Sequence, residues 1–569
     1  MSEKAVRTIS LATPFEGCDN GWEEYPRPQM KRDSYISLCG EWELSVRKNG
    51  SEQKLGGIKV PFPPESRISG IERQLAPDEQ YVYRRKFTLP DDFNVGRVLL
   101  HFGAVDQIAE VYVNNIHACT HTGGYLPFTV DITEHLVNGE NSLRVVVTDA
   151  LDTDIPYGKQ CRKRGGMWYT PISGIWQAVW IESVPQRYIE SLSITPTLGS
   201  VTIDVKGGDK EKLITLCGRE YRFSGSTVTI NIDEPQLWSP EHPHLYEFTL
   251  MSGKDRVESY FALRTVSIDT SGKHPVMCLN GEPYFFHGVL DQGYFSDGIY
   301  LPASPEGYIY DITTMKKLGF NMLRKHIKTE PELFYYYCDK YGMIVFQDLV
   351  NSGKYNFLID TALPTIGLRR GISHKATLKR RRRFEREGAD TVKRLYNHPC
   401  VCYYTIFNEG WGQYDADRIY NKMKAYDSTR IWDATSGWFT EKESDVKSEH
   451  IYFRKLSLKP HKSRPLVLSE FGGYSYRVEG HCFNLDKNYG YKTCATAEEF
   501  TAELAKLYNE QLVPAIKNGL CAAVLTQLSD VEDETNGIVT YDRQVIKPDE
   551  ETMTEISANI AAAFKELTT

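Results

Sequence analysis

The first 184 residues run in short segments that alternate apolar and polar positions, such as 81–87 (Tyr-Val-Tyr-Arg-Arg-Lys-Phe), 97–102, 109–113 and 142–147, separated by turn pairs such as Asn114-Asn115 and Asn138-Gly139. A period of two sends successive side chains to opposite faces of a strand. Strands this short with turns this frequent predict an antiparallel β-sandwich over 1–184. A second β-rich stretch, 185–268, contains 201–205, 226–230 and 245–250, and its length suits a small immunoglobulin-like sandwich.

Beyond residue 268 the rhythm changes. Ser304-Pro305 predicts a helix start, with serine as N-cap and proline at the first helical position; Ile309, Ile312, Met315 and Leu318 follow near helical spacing, and Gly319 stops the run. Residues 321–324 read as a strand, Glu330-Pro331 open another helix that Gly342 closes, and 343–346 read as the next strand. This alternation over 269–569 predicts a (β/α)8 TIM barrel, which carries its functional residues at the C-terminal ends of its strands. Counting from Tyr284, the fourth strand ends at Glu409 and the seventh at Glu470; 431–435, 449–453 and 520–525 are the fifth, sixth and eighth.

Those two glutamates share a design. Each ends an apolar run and is followed at once by glycines, in Phe407-Asn408-Glu409-Gly410-Trp411-Gly412 and in Leu468-Ser469-Glu470-Phe471-Gly472-Gly473. Two carboxylates facing each other across a barrel mouth suit a retaining glycosidase, in which one is nucleophile and the other acid/base and the carboxyl groups lie about 5–5.5 Å apart.

Composition narrows the partners. With 67 basic and 75 acidic residues the net charge is −8, which lacks the basic footprint of a nucleic-acid binder. No stretch is apolar enough to span a membrane, and the N-terminal residues have no apolar signal core, so no membrane association and a cytoplasmic location are expected. The twelve cysteines form no CxxC pair. Cys400 and Cys402 lie on a predicted strand without a histidine or cysteine pair to complete a zinc set, so no metal and no cofactor are expected. The 35 tyrosines and 9 tryptophans suit both interdomain packing and sugar contact. Lys379-Arg380-Arg381-Arg382-Arg383, with acidic residues nearby, reads as a solvated helix face. A homo-oligomer is compatible with everything above.

Along nearly its whole length the chain resembles glycoside hydrolase family 2. The resemblance rests on 102–106 and 111–114, 121–128 and 131–133, the run Trp168-Tyr169-Thr170-Pro171-Ile172-Ser173-Gly174-Ile175-Trp176-Gln177, then Leu237-Trp238-Ser239-Pro240, Phe261-Ala262-Leu263-Arg264, Asn408-Glu409 and Ser469-Glu470-Phe471-Gly472. It implies a sugar-binding jelly-roll domain, an immunoglobulin-like module and a catalytic barrel, with Glu409 as proton donor, Glu470 as nucleophile and Asn408 on the sugar 2-hydroxyl. Further strand-end residues implied as substrate-binding are Asp291, Arg324, His326, Trp438, His450, Tyr452 and Gln527; for Tyr452 the expected role is to steady the nucleophile.

Two departures bear on the substrate, expected to be a carbohydrate. The family's glucuronidases carry Asn-x-Lys near the eighth strand, whereas here Asn536-Gly537-Ile538 has no lysine, and the family's Asn-Arg-His region after the first strand reads Leu290-Asp291-Gln292-Gly293-Tyr294. The expectation is a β-galactosidase. The alternatives are a fucoside, arabinoside, galactofuranoside or glucuronide handled by the same mechanism, or a carbohydrate-binding protein without catalysis.

Overall fold

The computed structural model describes residues 7–18, 21–365, 368–369, 373–439, 441–452 and 454–569. The N-terminal region forms a two-sheet sandwich. Its six-stranded antiparallel sheet runs, in spatial order, Ser51–Val60, Gly40–Lys48, Gln80–Thr88, Glu140–Thr148, Ile108–Val113 and Ile116–Thr122, and Tyr35–Ser37, Val179–Val184, Arg97–Phe102 and Phe128–Asp131 form the second sheet. Leu44, Tyr83, Leu100, Val111, Val145 and Ile181 meet in one core between them. Asn114 and Asn115 take φ of 50° and 65° to close the hairpin between 108–113 and 116–122, a turn geometry that asparagine tolerates better than most residues.

A smaller sandwich follows. Strands Ile189–Pro196, Ser200–Gly207 and Thr227–Asn231 make one sheet, Arg219–Ser224, Glu211–Leu216, Tyr246–Ser252 and Asp255–Phe261 the other, and Ile203, Ile214, Leu250 and Phe261 fill the space between.

The C-terminal half is a barrel of eight parallel strands. In chain order they are Phe286–Asp291, Met322–Lys325, Ile344–Asp348, Val401–Phe407, Ile431–Thr435, Lys447–Ile451, Leu466–Gly472 and Leu520–Thr526. The sheet order is 5-4-3-2-1-8-7-6. At the seam between the fifth and sixth strands the Ser448 hydroxyl donates to the Thr435 carbonyl at 3.2 Å. Runs such as Leu-Cys-Ala-Ala-Val-Leu in the eighth strand are buried throughout, as strands covered on both faces must be.

Three local expectations are corrected. The helix after the first strand is Glu306–Lys317 with Pro305 at the N-cap; the Ser304 hydroxyl is buried without a partner, and it is the Ser304 carbonyl that accepts the Gly307 N–H. The sixth strand starts and ends two residues earlier than predicted, and Phe453 lies outside the described residues. The basic run 379–383 sits in helix Leu378–Leu395, capped by Thr377, but only part of it is a solvated face. Arg380 is buried and donates to the Gly412 carbonyl at 2.5 Å, and Arg383 pairs with Asp152 of the first sandwich at 3.2 Å. The helix is wedged between two domains, which is why its arginines find partners.

Arg264 locks the second sandwich to the barrel. Its buried guanidinium donates to the carbonyls of Pro399 at 2.9 Å and Val401 at 3.1 Å, at the start of the fourth strand. Removing it strands the buried Pro399 carbonyl, at about 1–3 kcal/mol, while Val401 keeps the Arg430 Nε–H at 3.0 Å. Arg264→Ala is therefore expected to destabilise the protein by about 1–3 kcal/mol and lower the midpoint of thermal unfolding by a few degrees. An unchanged midpoint would show that this junction carries no load.

Candidate active site

At the end of the fourth strand the chain breaks into a single 3-10 turn, Asn408–Gly410, and Glu409 takes the left-handed conformation with φ 49° and ψ 25°. That conformation costs a non-glycine residue about 1–3 kcal/mol and persists only where the surroundings enforce it. Here they do: the Glu409 N–H donates to the Ser436 hydroxyl at 3.3 Å, and the turn is packed tightly on its far side. A Cβ on Gly412, at φ 67°, would lie 1.9 Å from the Ser352 carbonyl oxygen, so only glycine allows the approach.

Glu470 lies within the seventh strand and is held from the opposite side. Arg324, 1% exposed, binds Asp348 through two parallel bonds of 3.0 and 3.1 Å. From there it reaches Glu470 at 3.0 Å, the Ser469 carbonyl at 2.9 Å and the Asn408 side-chain oxygen at 2.9 Å. The Ser436 hydroxyl donates to the same Asn408 oxygen at 2.9 Å, so both its lone pairs are taken and the Nδ2 donors remain for a ligand. The Tyr452 hydroxyl donates to the other Glu470 oxygen and lies 3.0 Å from Thr526. His450 Nδ1 stands between the two glutamates, 2.9 Å from Glu409 and 3.5 Å from Glu470. One oxygen of each carboxylate and the imidazole nitrogen lie within 4.8 Å of one another.

The electrostatics separate the two carboxylates. Burial alone would raise the Glu470 pKa, but His450, Arg324, His326 and the Tyr452 hydrogen bond outweigh it, and the carboxyl titrates below its ordinary value. Asp348 is likewise held low against burial by Arg324 and His326. Burial and the adjacent Glu470 charge push the Tyr452 hydroxyl far up, so it stays a donor. Glu409 is the more open of the pair, with a quarter of its side chain exposed against 6% for Glu470.

Of the residues singled out from sequence, the structure brings Glu409, Glu470, Asn408, Arg324, His450 and Tyr452 into one network. His326 joins it through Asp348, at 3.0 Å. Trp438 is half-buried beside His450, its ring centroid 5.9 Å away and its plane inclined at 66°. Two are drawn elsewhere. Gln527 spends its amide on Glu534 at 2.6 Å, Asn536 at 2.8 Å and Gln292 at 2.9 Å. Asp291 pairs with Lys325 at 2.5 Å in a buried cluster with Glu330 and Lys328, because the second strand turns Lys325 to the side opposite Arg324.

Sequence reasoning missed Asp348, although a carboxylate ending a barrel strand was a usable signal. It also missed Ser436, Tyr491, which stacks on Tyr452 at 4.1 Å, and Glu534. Burial pushes Glu534 up to about 7, partly countered by Lys159 of the first sandwich. Another oversight lies at the opposite end of the barrel, where His398 and Asp339 join Cys400 in a cluster of metal-ligand type. Asp339 there already accepts from Tyr260 at 2.7 Å, the Cys400 N–H at 2.8 Å and His398 at 2.6 Å, so protein donors account for its oxygens. In the Glu409–His450–Glu470 set, both Glu470 oxygens and one Glu409 oxygen have protein partners.

A barrel carrying two glutamates on its fourth and seventh strands, preceded by two β-sandwiches, is an architecture of glycoside hydrolases, and the comparisons agree. Residues 273–561 match the TIM barrel domain of glycosyl hydrolases family 2, 64–171 its galactose-binding domain-like module, and 188–264 a third family 2 domain. The chain belongs to glycoside hydrolase family 2. It is 25% identical over 291 residues to a putative β-glucuronidase of Formosa agariphila, covering 47% of this chain and 34% of that one. It is 26% identical over 473 residues to a β-galactosidase of Thermoanaerobacter pseudethanolicus, covering 74% and 59%. These matches span about a third and under two thirds of the two relatives. A β-D-glucuronidase from Dictyoglomus thermophilum has the same fold, with a TM-score of 0.73 at 17% identity over 94% of this chain and 98% of that one.

The cation at the centre can be tested through stability. Both Asp348 and Glu470 have depressed pKa values, so in the native protein they contribute stability that is complete above the ordinary carboxylate range, about pH 4, and is lost as pH falls through their folded values. Arg324→Met takes the guanidinium from two buried carboxylates, leaving Asp348 only His326 and Glu470 only Tyr452 and His450, which should cost about 3–5 kcal/mol at neutral pH. Their pKa values then rise, so the deficit should shrink as pH falls from about 7 to about 5. A deficit independent of pH would remove the electrostatic role from Arg324.

Proposed function

We propose that the protein is a retaining, exo-acting β-glycosidase in which Glu470 is the nucleophile and Glu409 the acid/base. The observation that carries the reading is the approach of the two carboxylates, with nearest oxygens within 4.8 Å. An approach this near is the kind expected of retaining enzymes, whose carboxyl groups lie roughly 5–5.5 Å apart, rather than of inverting ones, which hold them roughly 6.5–9.5 Å apart to admit a water. Glu470, kept ionised by Arg324 and His450, attacks the anomeric carbon while Glu409 gives its proton to the departing oxygen, leaving a glycosyl ester on Glu470. Esterification removes the Glu470 charge, and Glu409, now a carboxylate, takes a proton from the water that attacks the ester. The Nδ2 donors of Asn408 face the sugar 2-hydroxyl, and His450, between the carboxylates, steadies both.

The preferred glycone is a β-galactoside. Supporting an uncharged sugar, the side chain two residues after Asn536 is the buried, apolar Ile538, and the Asn536 oxygen is held by Gln527. Lys547, the nearest buried ammonium in that segment, is consumed by Asp530 at 2.5 Å and by the carbonyls of Tyr476 and Thr535. A second reading, a β-glucuronide, is favoured by the activity named for the Formosa relative and by half-buried Lys159, whose charge acts on both His326 and Glu534. A panel of 4-nitrophenyl glycosides decides: the galactoside is expected to be cleaved fastest, and a faster glucuronide would transfer the assignment.

Glu470→Gln and Glu409→Gln should each lower turnover on the best substrate by at least about 100-fold with an unchanged circular dichroism spectrum. Activity above a tenth of wild type in either would remove that residue from its role. Proton NMR before mutarotation should find the β-anomer of the released sugar first; an α-anomer would replace retention with inversion. Azide added to Glu409→Ala should restore turnover and give the β-glycosyl azide, whereas the α-azide would exchange the two roles.

A further inference from the structure

A strap of the first sandwich, residues 159–170, reaches over the barrel mouth. The Thr170 N–H donates to Glu532 at 2.9 Å, Arg164 lies 3.5 Å from Glu532 and 3.6 Å from Asp533, and the Tyr169 hydroxyl donates to Glu534 at 3.0 Å, so the strap is moored to the loop after the eighth strand. A short internal bridge between Gly165 and Trp168 turns it back on itself. Its Trp168 lands on the other side of the mouth. The Trp168 ring meets Trp411 at 4.7 Å and 82° and Tyr355 at 5.4 Å and 67°, and Tyr355 meets Trp411 at 5.8 Å.

Position gives this trio its meaning. Trp411 follows Glu409 by two residues in the same turn, and it is immobilised: its indole N–H donates to the Gly353 carbonyl at 3.2 Å, Tyr157 packs edge-on at 6.1 Å, and it is 4% exposed. Trp168 and Tyr355 are only half-buried and offer the accessible ring surface. Burial and the negative charge of Glu409 both raise the Tyr355 hydroxyl, which places that ring within electrostatic reach of the acid/base carboxyl. The group that Glu409 protonates is the leaving oxygen, so whatever that oxygen carries lies on the side where these rings stand.

We propose that Trp168 and Tyr355, backed by the fixed Trp411, form an aglycone subsite for a leaving group with a flat apolar face, and that the first sandwich supplies its principal ring. The inference rests on the assignment of Glu409 as acid/base. The shared chemistry is a planar apolar surface, an aromatic ring or the C–H face of a second pyranose, stacked on an aromatic side chain.

The test compares three leaving groups on one glycone: 4-nitrophenyl, a second sugar and methyl. In Trp168→Ala, kcat/KM should fall about tenfold on the first two, mainly through KM, and stay within about twofold on the methyl glycoside, which has no ring to stack. Trp168→Phe should recover most of the loss. A loss confined to the nitrophenyl substrate or to the disaccharide names an aryl or a sugar aglycone as the true occupant. An equal loss on all three overturns the subsite in favour of a scaffold role, as does no loss on any. If wild type cleaved none of the three, the proposed function and the subsite would fall together, whereas an active wild type with an unaffected variant sinks the subsite alone.

Discussion

The Arg324 guanidinium is the constraint on which the site depends. It is planar, permanently charged and almost fully buried, and it presents its donors in fixed directions. Asp348 takes one edge in a bidentate pair, and the remaining donors go to Glu470, the Ser469 carbonyl, Asn408 and Ser436. One cation from the second strand thereby sets the positions of groups on the third, fourth, fifth and seventh. Such a cation is costly to desolvate, and its partners are what make its burial tolerable. In return, Glu470 stays ionised in a place where burial would otherwise protonate it.

Much of the architecture was legible in the chain because local pattern and final environment agree. The alternating runs near residues 81–87 and 142–147 became half-buried sandwich strands, and the continuous apolar runs before Glu409 and Glu470 became barrel strands covered on both faces. Gly410, Gly412, Gly472 and Gly473 all take positive φ, and the glycine clustering that drew attention to the two glutamates reflects that backbone requirement. Errors arose where a side chain's fate depends on distant partners. Asp291 looked like a strand-end site residue, but Lys325, one position past Arg324, captures it. The run 379–383 looked solvated because nothing local announces that Gly412 and Asp152 will meet it.

Contacts between domains were the least legible class. Arg264, Arg383, Tyr169 and Trp168 each act on a segment more than 100 residues away in sequence. A single sequence carries no periodic signal for such pairings, and each depends on docking surfaces that exist only after the individual cores have formed. The resemblance to a known family supplied the expected roles of Glu409, Glu470 and Asn408 and the further strand-end candidates. It did not supply the strap over the barrel mouth or the aromatic trio beneath it.

That strap divides the site between two domains. The network around Arg324 is drawn from barrel strands and the turns that end them, while part of the wall facing solvent comes from residues 159–170 of another domain, moored by a handful of polar bonds. Substitutions, insertions or a wholesale exchange in that segment can reshape what the mouth admits without moving either glutamate or the cation between them. Under the proposed function, variation in the company a sugar keeps is thus open to this scaffold at little risk to its chemistry, and the first sandwich becomes an adjustable visor on a rigid frame.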